Sequence, residues 1–161
     1  MTVRRVHAAR LRAVPAADDL MAQAREASAR AYARYSKFKV GAAVRTASGA
    51  VYCGVNVENA AYPIGVCAEA AAISAAVLAE GPAVRLVAVA VAAERHGRPR
   101  PCSPCGACRQ RIMELGRDAE VSFLAEDLSP VTLPAGSLLP HCFSLPTDKL
   151  ASDEDDDAAR T

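Results

Sequence analysis

The sequence predicts an α/β fold, a three-layer αβα sandwich on a five-stranded mixed sheet, and three observations predict it. The periodic segments run in the order helix, hairpin, helix, strand, helix, strand, strand. The stretch Val84 to Ala93 is almost continuously apolar and rich in valine, which fits a central strand covered on both faces. Strand, helix and strand follow one another over residues 84 to 125, and that order calls for a parallel pair with a right-handed crossover.

Residues 16 to 33 read as a helix that Asp18 or Asp19 can cap, with Leu20, Ala24, Ala27 and Ala31 on one face and Gln23, Glu26 and Arg30 opposite. That face is mostly alanine, so whatever covers it must approach closely. Val40 to Thr46 and Val51 to Val57 read as strands joined through Ala47-Ser48-Gly49-Ala50, a hairpin. A helix from Cys67 to Leu78 closes at Gly81-Pro82, and the central strand follows. Pro104 to Leu115 is the next helix, with Ser103 as its expected cap and Pro104 where a first turn tolerates proline. Val121 to Ala125 and Val131 to Leu133 supply the last two strands.

The chain has 161 residues, of which 52% are hydrophobic and 4% aromatic. That length supports one domain, expected over residues 16 to 150, and the apolar fraction is too high for a disordered chain. No apolar run approaches the roughly 20 residues of a membrane-spanning helix, so no membrane partner is expected. Nineteen basic and eighteen acidic residues nearly cancel, which argues against a nucleic acid recruited by bulk charge. A basic arm at residues 1 to 15 and an acidic tail at residues 151 to 161 are expected to be loose, solvated ends. With no secretory h-region at the start, the expected compartment is the reducing cytoplasm.

Six cysteines in such a compartment point to metal or catalysis rather than to disulfides. Cys67-Ala68-Glu69 opens one helix, and Pro104-Cys105-Gly106-Ala107-Cys108 opens another. Cys105 and Cys108 share a face, and all three thiols lie at helix starts, where the dipole favours thiolate. Three thiolates form an incomplete tetrahedron for zinc, the pattern of a catalytic site that keeps one position open. Glu69 points away from Cys67 in a regular helix, by roughly 200°, so it is placed to move protons rather than to ligate. Cys102 also forms a C-x-x-C with Cys105, but it lies before the cap and off the helix. Cys53 and Cys142 read as ordinary strand and loop residues.

These motifs resemble the zinc deaminase signature, and in detail the small, three-cysteine cytidine deaminases. Ala31-Tyr32 and Tyr35-Ser36-Lys37-Phe38-Lys39-Val40-Gly41-Ala42-Ala43 resemble that family's opening segment. Gly54-Val55-Asn56-Val57-Glu58-Asn59-Ala60-Ala61-Tyr62 resembles its substrate loop, and Leu138-Leu139-Pro140-His141-Cys142-Phe143 its C-terminal segment. The likeness spans residues 20 to 150, with all blocks in the family's order.

The resemblance implies a cytidine deaminase-like fold and one zinc per chain on Cys67, Cys105 and Cys108, with Glu69 as the acid–base residue. It implies that Phe38 packs on the pyrimidine, that Asn56 and Glu58 bind the ribose, and that Tyr62 and Phe143 serve a neighbouring subunit's site in a homotetramer. The implied reaction is hydrolysis of cytidine and deoxycytidine to uridine and deoxyuridine with release of ammonia, within pyrimidine salvage. One departure concerns charge: many relatives carry arginine after Cys-Ala-Glu, where this chain has Ala70. A deaminase of another cytosine compound, such as blasticidin S, shares the zinc motifs, but Asn56-Val57-Glu58-Asn59 is of the nucleoside type. A zinc-stapled interaction module has no use for Glu69. An editing enzyme would want a basic groove and stacking aromatics, and the chain has no tryptophan.

Overall fold

The structure, a computed structural model, describes residues 18–145. The expected basic arm and acidic tail lie outside the described residues. Helix α1 spans Asp18–Ser28, and strands β1 (Phe38–Thr46) and β2 (Val51–Val55) form the hairpin. A 3₁₀ turn at Tyr62–Ile64 leads to helix α2 (Ala68–Glu80) and strand β3 (Leu86–Arg95). Strand β4 (Arg98–Arg100), helix α3 (Gly106–Leu115), strands β5 (Glu120–Leu124) and β6 (Pro130–Pro134) and helix α4 (Ala135–Leu138) complete the chain.

The sheet runs β2-β1-β3-β5-β6, with β4 also paired to β3. β3 and β5 are parallel and the other pairings antiparallel, so the sheet is mixed as the sequence predicts. It has six strands rather than five. The added strand is Arg98-Pro99-Arg100, which has no strand pattern of its own. His96 and Gly97 both adopt positive φ, 55° and 73°, and this two-residue turn folds Arg98 back opposite Arg95. The short helix α4 was likewise not legible, since Ala135-Gly136-Ser137-Leu138 carries no helical pattern.

The alternation along the central strands divides the core into two faces. Ala43, Ala90 and Ala92 pack with Leu20 and Ala24 of α1. Ala42, Val44, Val89 and Val91 pack with Ala72 and Ile73 of α2 and Ile112 of α3. Helices therefore cover both faces, as in the expected three layers. Two glycines set how closely they approach. A Cβ at Gly41 would fall 2.0 Å from the Ala24 carbonyl oxygen, and one at Gly54 would fall 2.3 Å from the Ala72 nitrogen. The alanine faces of α1 and α2 thus lie almost backbone to backbone on the sheet.

Two boundaries differ from the sequence reading. α1 ends at Ser28, and the N–H groups of Ala29, Arg30 and Ala31 donate three residues back rather than four. The cap expected of Asp18 or Asp19 rests on side chains outside the described residues. At α3 the N-cap is Cys105, not Ser103: the first i to i−4 bond runs from the Arg109 N–H to the Cys105 carbonyl, at 2.9 Å. Among the described residues no helix is long and apolar enough to cross a membrane.

Candidate active site

Two helices begin side by side, and a thiol stands at each beginning. Cys67 is the N-cap of α2 and Cys105 the N-cap of α3, both in extended conformation with no side-chain cap bond. Their sulfurs are left free to face each other, 4.0 Å apart. Cys108, buried in the first turn of α3, brings the third sulfur, and all three lie within 4.8 Å of one another. Thiolates on a tetrahedral zinc at ~2.3 Å would stand about 3.8 Å apart, so this donor set fits zinc with little movement. Cys102 is not part of the cluster.

The electrostatics of the cluster make the same point. The helix starts alone would lower all three thiols, but burial dominates at two of them. Burial, with Cys105 next, raises Cys67; burial, with Glu69 and Cys67 next, raises Cys108. Cys105 is held below the usual thiol range: burial works against it, and the Cys108 N–H together with the Cys108 and Cys67 thiols outweighs burial. Glu69 is 4% exposed, and burial raises its carboxyl above the ordinary range despite its own N–H, the Cys108 thiol and Arg111. Three of these four acids are raised, chiefly by burial, and a divalent cation among them would stabilise their charged forms. Ala70 supplies no counter-charge, and Arg109 is directed elsewhere: its Nε donates to the Pro104 carbonyl and its Nη1 to that of Leu138.

The cluster opens into a cavity of about 460 Å³. Its walls bring together Cys67, Cys105 and Glu69 with Phe38, Asn56, Glu58 and Tyr62, seven of the nine residues the sequence singled out. Cys108 lies beneath, in the metal cluster. Phe143 lies apart. It is 70% exposed and held by the Gln110 side chain, which donates to its carbonyl and accepts its N–H.

The polar groups opposite the thiols are tied into the backbone. Asn56 Oδ1 accepts the Val40 N–H at 2.8 Å, and its Nδ2 donates to the Phe38 carbonyl at 3.0 Å. The asparagine thus extends the β1 ladder with its side chain and fixes the backbone on either side of Lys39. Glu58 Oε2 accepts the N–H groups of Tyr35 and Ser36, and its Oε1 accepts the Ser36 hydroxyl. These bonds, led by the Ser36 hydroxyl, hold its carboxyl below the ordinary range. Ser36 Oγ accepts in turn from the Phe38 N–H. Sequence reasoning missed Ser36 as a link between Glu58 and Phe38, and it missed Cys102 and Ser103, which also line the cavity. Cys102 is pushed up to about 12 by burial and by Glu69. Nothing local marks these residues; only the closure of the sheet brings them in.

Residues 15–125 match the family described as the cytidine and deoxycytidylate deaminase zinc-binding region. The chain belongs to that family. It is 40% identical over 130 residues to the cytidine deaminase of Sporosarcina psychrophila, covering 79% of this chain and 90% of that protein. The cytidine deaminase of Mycobacterium tuberculosis H37Rv is 39% identical over 126 residues, covering 78% and 88%. Among solved structures, the cytidine deaminase of Burkholderia pseudomallei superposes with a TM-score of 0.70 at 41% identity, over 80% of this chain and all of that one. That of Mycobacterium tuberculosis gives 0.67 at 37% identity, over 80% and 97%. The fold and the zinc-binding character of the family therefore agree with the three-thiol cluster found here.

Proposed function

We propose that this chain hydrolyses cytidine and deoxycytidine to uridine and deoxyuridine, releasing ammonia, in pyrimidine salvage. The observation that carries the reading is the single cavity in which a three-thiol metal cluster and the buried Glu69 face Phe38, Asn56 and Glu58. Similarity to proteins named cytidine deaminase over most of the chain supports it.

Zinc held by Cys67, Cys105 and Cys108 supplies the Lewis acidity that makes a water molecule nucleophilic near neutral pH. Glu69 takes that water's proton and delivers it to N3 of the pyrimidine. The water's oxygen bonds to C4 as that proton reaches N3; Glu69 then takes the second proton from the same oxygen and gives it to the amino group, and the C4–N bond breaks to release ammonia as the C4 carbonyl forms. A carboxyl raised by burial suits this exchange, since proton transfer is most efficient when donor and acceptor pKa values approach the working pH. Phe38 presents an apolar wall to the base. Asn56 and Glu58 face the ribose: Glu58 Oε1 retains one acceptor site beyond its bond from the Ser36 hydroxyl, and Asn56 keeps one amide hydrogen.

The same reading makes the protein a cytoplasmic homotetramer whose sites are completed across subunits by Phe143 and Tyr62. Its support is that Phe143 projects into solvent away from its own cavity and that Tyr62 is 78% exposed at the cavity mouth. All six cysteines are free, in keeping with a reducing compartment.

Purified protein incubated with cytidine should lose the cytosine absorbance and release one ammonia per uridine formed, with one zinc per chain by elemental analysis. Zinc-loaded protein that leaves cytidine and deoxycytidine unchanged would refute the activity, and an active monomer by light scattering would refute the shared site.

A further inference from the structure

The two halves of the proposed site ride on different elements. Cys67 and Glu69 sit at the start of α2, whereas Phe38 and Asn56 sit at the open end of the β1–β2 hairpin. Where α2 crosses the end of β2, it turns a face of small residues to the strand. Ala68, Ala72 and Ala76 are fully buried, and the first two of these turns of helix lie against Gly54. That contact is backbone-close, and Ile73 packs beside it in the same core as Val44 and Tyr52 of the hairpin.

At the far end the two elements are joined by one carboxylate. Glu80 is the last residue of α2, and its Oε1 accepts three hydroxyl groups from the hairpin. Thr46 Oγ1 and Ser48 Oγ donate at 2.8 Å, and Tyr52 Oη at 2.9 Å. Thr46 and Tyr52 are buried, at 1% and 7% exposure. Hydrogen bonding, with Thr46 first, holds Glu80 below the ordinary carboxylate range. Its place in the helix is locally unfavourable, because an acid at a helix C-terminus opposes the dipole and no basic residue shares that last turn. A residue that breaks a local preference needs a tertiary reason, and the three hydroxyls provide one.

Resting on the reading of the site given above, we propose that Glu80 is a positioning residue: its carboxylate pins α2 to the β1–β2 hairpin and so sets the distance between the metal and acid–base half of the site and the base-binding half, roughly 16 Å along the helix from Glu69. A rigid helix passes a displacement at one end to the other, and a misplacement of about 1 Å at reacting groups can lower a rate ~100-fold.

The test uses zinc-loaded Glu80→Ala and Glu80→Gln at a temperature where circular dichroism shows both folded. In Glu80→Ala the kcat on cytidine should fall about tenfold or more with KM within roughly threefold, and zinc should pass to a chelator about tenfold faster. Glu80→Gln keeps an acceptor oxygen and should restore most of both. Folded Glu80→Ala with wild-type kcat and zinc retention would overturn the proposal, as would Glu80→Gln as defective as alanine. If Glu80→Ala does not fold, the double variant Ser48→Ala, Tyr52→Phe removes two of the donors and should show the same effects at about threefold; unchanged kcat and zinc retention there would overturn the proposal equally. Wild-type protein that holds zinc but does not turn over cytidine would instead refute the proposed activity, and the chelator measurement would still judge Glu80.

Discussion

The two walls of the cavity are built on opposite principles. On the Asn56 and Glu58 wall, the polar groups are bonded to the chain itself: the Asn56 amide to Phe38 and Val40, the Glu58 carboxylate to Tyr35 and Ser36. On the Cys67, Cys105, Cys108 and Glu69 wall, acidic groups crowd together: burial raises Glu69, and burial with repulsion from neighbouring acids raises Cys67 and Cys108. The first wall is rigid without help. The second gathers acids that only a shared cation or shared protons can reconcile. A site that must bind a neutral nucleoside and also activate water gains from this division, since the binding wall keeps its shape while the reactive wall changes protonation.

The comparison breaks hardest at the thiols. Replacing Cys67, Cys105 or Cys108 with alanine should abolish zinc binding and activity together, read by elemental analysis and turnover on the same sample. Cys102→Ala should retain the metal, because Cys102 lines the cavity but stands outside the thiol cluster. Next in size is Glu69→Gln. It should keep zinc and lose about 10² to 10⁴ in kcat, because an amide cannot relay a proton; near wild-type turnover would remove Glu69 from the chemistry.

On the opposite wall the effects should be smaller and of a different kind. Asn56→Ala leaves the Val40 N–H and the Phe38 carbonyl without their side-chain partners. It should cost about 2 kcal/mol of stability in denaturant unfolding, with KM raised more than kcat is lowered. The smallest effect is expected for Glu58 in acid. Its carboxyl is held low by hydrogen bonds, so its contribution to stability is present above the ordinary value of 4.5 and is lost as pH falls through the lower folded value. The difference in melting temperature between wild type and Glu58→Gln should therefore be widest in neutral buffer and shrink in acid. A difference that grows on acidification would contradict the hydrogen-bonded carboxylate.

The reactive wall was also the more legible of the two in the sequence. Cys67-Ala68-Glu69 and Pro104-Cys105-Gly106-Ala107-Cys108 are each confined to one helix start, where the spacing of three or fewer residues fixes which side chains can meet. On the binding wall, the blocks around Phe38, Asn56 and Glu58 were recognisable by resemblance alone. That Glu58 caps the turn at Tyr35 and Ser36, 23 and 22 residues away, has no local signature. The same holds for Glu80 and its hydroxyls, up to 34 residues away, and for Arg109, whose guanidinium reaches the Leu138 carbonyl.

By itself the sequence determined the order of the main elements, the parallel β3–β5 pair, the alanine faces that demand close packing and the three thiols with their glutamate. These follow from periodicity and helix-end chemistry, which act over a few residues. Tertiary structure alone decided the sixth strand, the cap at Cys105, the upward shift of two thiols that their helix starts would have lowered, and the bonding of the binding wall. Each of those depends on register and burial, and neither exists until the strands have paired and the helices have closed over them.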